Sequence, residues 1–269
     1  MLVKEIKTSK LYAMKVLRKS KIETLGASDK VFVERDVLAK ITHPFIIQFY
    51  QSFRMPKKLY FILEYCPGGE LWNLLVKKGK FTEEQVRFYS GQVLLALETL
   101  HAEEIIYRDL KPENILIDAQ GYLRVTDFGL SRMNNICGGC GVDSYVGTPE
   151  YFAPEVVCNQ GYGKEVDLWA FGAILYEMLV GTPPFYSENR QELYAKIRFG
   201  EPKYPETMGA AAKNLIKALL RKQPARRLGT VKGISEIKSH EWFKGMDFGQ
   251  LLKKNYEPPF VPVMKNDCD

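Results

Sequence analysis

No stretch of this 269-residue sequence approaches the roughly 20 consecutive apolar residues that a membrane-crossing helix requires. The longest apolar run, 170–180, is interrupted by Gly172, Tyr176 and Glu177, which predicts a soluble protein without a membrane span. A secretory signal is lacking. Of the five cysteines, Cys66, Cys137, Cys140, Cys158 and Cys268, four fall in segments without disulfide-framework spacing. These absences predict a reducing, cytoplasmic compartment. An excess of one charge is lacking too. Lys and Arg total 38 against 32 Asp and Glu, and the resulting +6 falls short of a nucleic-acid footprint. Histidine is scarce, and His43, His101 and His240 have no metal-like spacing, so each reads as structural. No internal repeat is present.

What is present is length and pattern. The chain exceeds the usual size of a single core and predicts a bilobal unit, or two small domains, around a cleft. Two β-like runs at 2–6 and 11–17 flank the polar stretch 7–10, which reads as a hairpin turn. Over 28–40, Val31, Phe32, Val37 and Leu38 recur at helical spacing behind Ser28 and Asp29 as caps. Further strands are predicted at 46–53 and 59–65, and Pro67-Gly68-Gly69 then breaks the pattern as a hinge. Beyond it, helices are predicted at 83–101, 164–180, 190–198 and 210–220. The tail from Asp247, with Pro258, Pro259 and Pro262, reads as an extended segment on the surface. The fold class is α+β.

The strongest chemical signal is Tyr107-Arg108-Asp109-Leu110-Lys111-Pro112-Glu113-Asn114, followed by the apolar run 115–117 and by Thr126-Asp127-Phe128-Gly129. It resembles a kinase catalytic loop and magnesium loop. Phosphoryl transfer needs an acceptor for the hydroxyl proton, a cation near the transferring phosphate, and oxygen ligands for Mg²⁺. Asp109, Lys111 and the pair Asn114 and Asp127 supply these in order. An Asp-Phe-Gly triplet alone reads as a β-turn. Joined to the upstream octet, chance is an implausible account of it.

Lys15, on a predicted strand, resembles the lysine that holds nucleotide phosphates, and Glu34, on the next helix, resembles the glutamate that orients it. Seen singly, each would read as a solvated surface residue. Gly147-Thr148-Pro149-Glu150-Tyr151 and Ala153-Pro154-Glu155 resemble the end of a kinase activation segment, and Arg226-Arg227-Leu228-Gly229 lies downstream.

Nearly end to end, the chain resembles the AGC group of serine/threonine protein kinases, with Tyr107, Gly68-Gly69-Glu70, Gly147 to Tyr151 and the tail element Pro258-Pro259-Phe260-Val261-Pro262 as group-level features. The resemblance implies a bilobal protein-kinase-like fold: a partial small β-rich N-lobe lacking its first strand at 1–66, a larger helical C-lobe at 67–245, and an incomplete tail at 246–269. It implies ATP and Mg²⁺ as cofactors. Adenine would lie between Ala13 and Leu116, with backbone hydrogen bonds at Glu64 and Cys66 and Leu63 as gatekeeper. Thr148 joins Asp109 and Lys111 in the catalytic set; Glu155 would form a buried ion pair with Arg227; Asp167 is a structural member. The bland alternative for the ion pair is a surface salt bridge.

The position matching the activation-loop phosphosite is Ser144. Phosphorylated by an upstream kinase, it would pair with Arg108, Arg132 and Lys30. Glu70, Glu113 and Glu177 match positions that hold arginines preceding the acceptor, which implies protein substrates with upstream Arg or Lys. Glu70 would also touch the ribose. Cys137-Gly138-Gly139-Cys140 has no second pair to complete a zinc site and reads as a loop.

The sequence also departs from the family. No Gly-x-Gly-x-x-Gly motif is present, because Met1-Leu2-Val3 resembles the strand that follows that loop. The expectation is a chain cut at both ends, an active kinase as part of a longer protein. The alternatives are a catalytically weak or inactive kinase-like scaffold and a binding module with vestigial motifs. The retained Lys15, Glu34, Asp109, Asn114 and Asp127 argue against the last.

Overall fold

The computed structural model describes residues 1–24, 28–133 and 146–263. The small lobe is built on a four-stranded antiparallel sheet of β1 (Leu2–Lys4), β2 (Leu11–Arg18), β3 (Phe49–Arg54) and β4 (Lys58–Glu64), in the order β1-β2-β4-β3. The register sets Lys15 opposite Phe61 and Ala13 opposite Leu63. Two helices follow β2, α1 (Lys19–Thr24) and α2 (Ser28–Lys40). On α2, Val37, Leu38 and the carboxylate-bearing Glu34 share the buried face, since positions three and four apart lie on one side of a helix.

The strand expected at 46–53 begins later, at Phe49. Ile46 instead forms a bridge with Val125; Ile47 N–H donates to the Val125 carbonyl and Val125 N–H to the Phe45 carbonyl, both at 2.9 Å. The early part of the expected strand thus serves as a tie to the large lobe. A second tie lies at the hinge, where Gly68 N–H donates to the Ile117 carbonyl and Ile117 N–H to the Gly69 carbonyl. A Cβ on Gly68 would stand 2.6 Å from that of Ile117, so only glycine permits this approach.

The large lobe packs α3 (Leu71–Lys78), α4 (Glu83–Ala102), α5 (Pro154–Val157), α6 (Glu165–Val180), α7 (Arg190–Phe199), α8 (Ala210–Leu219), α9 (Ile234–Lys238) and α10 (Phe248–Leu252). Thr82 and Gln85 form a reciprocal capping box at the start of α4. Helix α6 is buried over nearly its whole length, as its apolar run on all faces dictates. The short pairs β5 (Ile105–Ile106) with β8 (Arg132–Met133), and β6 (Ile115–Ile117) with β7 (Leu123–Val125), frame the loops that carry the conspicuous polar residues.

Five of the helices among the described residues escape the sequence pattern: α1, α3, α5, α9 and α10. The tail expected to be extended opens with α10, capped by Asp247 through the N–H groups of Gly249 and Gln250. It then lies over β6–β7: the Tyr122 hydroxyl donates to the Lys254 carbonyl at 2.6 Å, and Lys254 pairs with Asp118 at 2.7 Å. No helix among the described residues is long and apolar enough to cross a membrane.

Candidate active site

The loop between β5 and β6 is held from below by one buried carboxylate. Asp167, at the start of α6 and 1% exposed, accepts the Tyr107 and Arg108 N–H groups at 2.9 Å each. His101 Nε2 lies 2.8 Å from the same carboxylate. These donors hold Arg108 in the left-handed region at φ 70°, a conformation that an arginine adopts only under such constraint. Tyr107 is buried, its hydroxyl donates to the Thr126 carbonyl, and its ring meets Phe128 edge-on. The two loops named in the sequence are therefore locked to each other.

At the surface of this frame, the amide of Asn114 donates to the Asp109 carbonyl and to Asp109 Oδ2, both at 2.8 Å. Thr148 Oγ1 donates to Asp109 Oδ1 at 3.1 Å and accepts from Lys111 Nζ at 2.7 Å, and Lys111 Nζ lies 3.4 Å from Asp109 Oδ2. Asp109, Lys111, Asn114 and Thr148 thus form one hydrogen-bonded group.

From the small lobe, Lys15 Nζ reaches Glu34 Oε1 at 2.6 Å and Asp127 Oδ1 at 3.4 Å. Burial alone would depress the pKa of Lys15, but the two carboxylates outweigh it and hold the group above its ordinary value. Asp127, like Arg108, has positive φ, at 58°. A residue on β2, one on α2 and one on the loop after β7 therefore converge across the cleft.

The residues expected to hold a nucleotide fall into two pairings, one in each lobe. Ala13 faces Leu63 across the sheet, and Leu116 on β6 is bridged to Glu70 after the hinge. The Glu64 side chain is engaged by Arg124, at 2.7 and 2.8 Å, which leaves only its backbone for a ligand. Cys66 is buried, and burial, with Glu64 adding to it, pushes its thiol up to about 12, so it is no nucleophile.

Glu177 is 5% exposed and accepts the Tyr151 hydroxyl at 2.6 Å. Burial pushes its pKa up to about 7, against the Tyr151 hydrogen bond and with help from Glu113 and Glu150. Glu113 Oε2 is itself buried without a hydrogen-bond partner among the described residues. Glu113 and Glu150 thus lie near enough to Glu177 to raise its pKa, and no ion pair among the described residues joins a cation to any of the three. Glu70 starts α3 but makes no capping hydrogen bond with its side chain.

Glu155 and Arg227 form a buried pair, 2% and 0% exposed at the side chain, joined at 2.7 and 3.0 Å. Arg227 also donates to the carbonyls of Glu165 and Arg221 and lies over the Trp169 ring. The surface alternative does not apply. Arg108 Nε donates to the Leu130 carbonyl at 2.6 Å, and Arg132 sits opposite Ile106 in the β5–β8 pair. Lys30 is exposed on α2, and no contact among the described residues joins it to them. Ser144, Cys137 and Cys140 lie outside the described residues.

Sequence reasoning missed the Tyr151 partner of Glu177, because 26 residues separate them. It also missed the Arg124 grip on Glu64 and the tail anchor at Asp118, Tyr122 and Lys254. A tyrosine inside Gly147 to Tyr151 was visible; its partner was not.

Lys15 and Asp127, with Asp109 and Asn114, are set between a β-rich and a helical lobe. The protein kinase domain family matches residues 1–243, and the chain belongs to that family. Its relatives place it in the AGC group of serine/threonine kinases. It is 44% identical over 267 residues to a RAC family serine/threonine-protein kinase homolog of Dictyostelium discoideum, covering 99% of this chain and 60% of that protein. Against serine/threonine-protein kinase YPK2/YKR2 of Saccharomyces cerevisiae it is 44% identical over 269 residues, 100% of this chain and 39% of that one. Against the cAMP-dependent protein kinase catalytic subunit of Dictyostelium discoideum it is 40% identical, covering 100% of this chain and 41% of that one. The chain thus spans between about two fifths and three fifths of the length of these relatives.

Proposed function

We propose that this chain carries the transfer of the γ-phosphate of Mg-ATP to serine or threonine hydroxyls of proteins that bear Arg or Lys before the acceptor. The observation that carries the reading is the convergence of Lys15, Glu34 and Asp127 with the hydrogen-bonded group Asp109, Lys111, Asn114 and Thr148. The lobe division at residue 66 and the tail from 246 belong to the same proposal.

The donor set suits Mg²⁺. Asn114 turns its NH₂ toward Asp109, which leaves the amide oxygen as its metal-facing atom, and Asp127 adds a carboxylate. Bound there, the ion would supply charge neutralisation at the phosphate oxygens. Lys15, oriented by Glu34, holds the α- and β-phosphates between Ala13, Leu63, Leu116 and the backbone at Glu64 and Cys66. Asp109 accepts the proton of the attacking hydroxyl. Lys111 places its ammonium beside Asp109 and Thr148, at the point where negative charge develops.

Substrate arginines would meet Glu70, Glu113 and Glu177; Glu177 is buried, Glu113 carries one buried, unpartnered oxygen, and neither is paired to a cation among the described residues. An upstream kinase acting on Ser144 fits Arg108 and Arg132 as its phosphate partners, with Lys30 as a third. An intracellular setting follows from substrates of this kind.

Mg²⁺-dependent phosphorylation of an Arg-rich peptide, compared with Asp127→Ala, tests the reading. Loss of signal in the variant is expected; equal signals from both would leave a scaffold without turnover.

A further inference from the structure

Outside the cleft, the surface where α7 runs into α8 carries a concentration of positive charge that the proposed reaction does not use. A concavity of about 560 Å³ lies between Glu201, Tyr204, Lys217, Arg221, Lys222 and Arg226. Four cations face one carboxylate, whereas the chain as a whole is close to balanced, with 38 basic against 32 acidic residues. Helix spacing explains the clustering: Lys213 and Lys217 are four apart on α8 and so share a face, and both ammoniums lie over the Tyr204 ring at 5.4 and 5.5 Å.

Lys213, Lys217 and Arg226 are in no ion pair among the described residues. Arg221 donates to the Arg226 carbonyl at 3.2 Å, which sets these two guanidinium-bearing residues side by side. Lys222 is half-buried, donates to the Ile197 carbonyl at 2.8 Å and lies over Phe185; burial brings its pKa down to about 8. At the base, the Tyr204 hydroxyl is buried and has no hydrogen-bond partner among the described residues. Four cations around a single carboxylate repel one another, and an unpartnered buried hydroxyl costs free energy, so an incoming anion relieves both.

We propose that this concavity binds a phosphate group displayed on a partner protein segment. Forked arginine donors and lysine ammoniums match the three oxygens and near-double charge of a phosphate monoester better than a single carboxylate. The concave shape favours a protruding phosphorylated side chain over the planar surface of an anionic bilayer. The aromatic floor of Tyr204 gives the side chain that carries the phosphate an apolar surface. The inference concerns binding alone and does not depend on turnover at the cleft.

The probes are a glycine-flanked phosphoserine pentapeptide, its unphosphorylated twin, inorganic phosphate, and vesicles containing phosphatidylserine, each titrated into the full chain and followed by amide chemical shifts. The phosphopeptide is expected to bind at least about tenfold more tightly than its twin at low ionic strength, with shifts at Tyr204 and at 217–226, and to weaken as salt rises. The double variant Lys217→Glu with Arg226→Glu, both exposed, is expected to abolish the difference while leaving phosphorylation of an Arg-rich peptide unchanged. Should that variant misfold by circular dichroism, Lys217→Ala with Arg226→Ala replaces it, with at least about a threefold loss expected. Inorganic phosphate producing the same shifts supports the phosphate chemistry. Equal binding of the two peptides, shifts confined to the cleft, or vesicle binding in the absence of phosphopeptide binding would each overturn the proposal.

Discussion

Glu177 is the residue at which the proposed substrate binding and stability pull in opposite directions. Its carboxyl is 5% exposed and has one hydrogen-bond donor, Tyr151, against burial and the charges of Glu113 and Glu150, which together bring its pKa from 4.5 up to about 7. That rise corresponds to about 3 kcal/mol of disfavoured ionisation in the folded chain. Because the folded pKa of this acid is raised, the penalty is absent below the unfolded pKa near 4.5. It grows as pH rises through the interval and is complete above about 7. The variant Glu177→Gln keeps the Tyr151 contact and removes the charge. At pH 8 it is expected to unfold at a higher urea midpoint, by up to about 3 kcal/mol, while at pH 4 the gain vanishes. On the proposed reading the same titration governs substrate choice. The ionised fraction rises from about one tenth at pH 6 to about nine tenths at pH 8. The ratio of kcat/KM for a peptide with upstream arginines to that for its alanine counterpart is expected to climb about tenfold over this range. In Glu177→Gln the ratio should be low and flat. A wild-type ratio independent of pH, or a variant no more stable at pH 8 than at pH 4 relative to wild type, would refute the reasoning.

Removing Arg227 strands the buried Glu155 carboxylate, so Arg227→Ala is expected to lose about 3–5 kcal/mol in chemical denaturation, with the double variant Glu155→Leu, Arg227→Met recovering much of it. Asp109→Asn leaves the contacts to Asn114 and Thr148 possible but removes the proton acceptor, and peptide phosphorylation is expected to fall by about a hundredfold or more with little change in nucleotide affinity. Lys15→Met should show the converse emphasis, a weakened binding of Mg-ATP read by fluorescence or calorimetry. At Gly121, φ is 90° and a Cβ would come within 2.2 Å of the Phe260 carbonyl, so Gly121→Ala is expected to release the tail and increase proteolysis after residue 250.

Much of the site could be read from the chain because its parts are contiguous. The octet from Tyr107 to Asn114 and the run from Thr126 to Gly129 place an acid, a lysine and two oxygen ligands within a short span, and local sequence pattern is legible where the residues that cooperate are neighbours. Helices α4 and α6 were also expected, at 83–101 and 164–180, the second carrying an apolar run too short for a membrane. Helix α3 was not, since Leu71 to Lys78 follows the hinge glycines without a capping side chain. The first part of the strand expected at 46–53 was lost to the large lobe, where Val125 offered hydrogen bonds that β4 would otherwise have supplied.

The β-rich half before the helical half, and the residue types of the proposed acid, cation and oxygen ligands, were set by sequence alone, because each depends on residue type and on spacing along one segment. Tertiary structure decided which charges are buried and what they face. That Asp167 holds the backbone of Tyr107 and Arg108 from 60 and 59 residues away, that Glu155 meets Arg227 across 72, and that Glu177 faces Tyr151 with no cation paired to it among the described residues are outcomes of packing. The energy of a carboxylate depends on its local dielectric and its partners, and neither exists until the chain has folded around it.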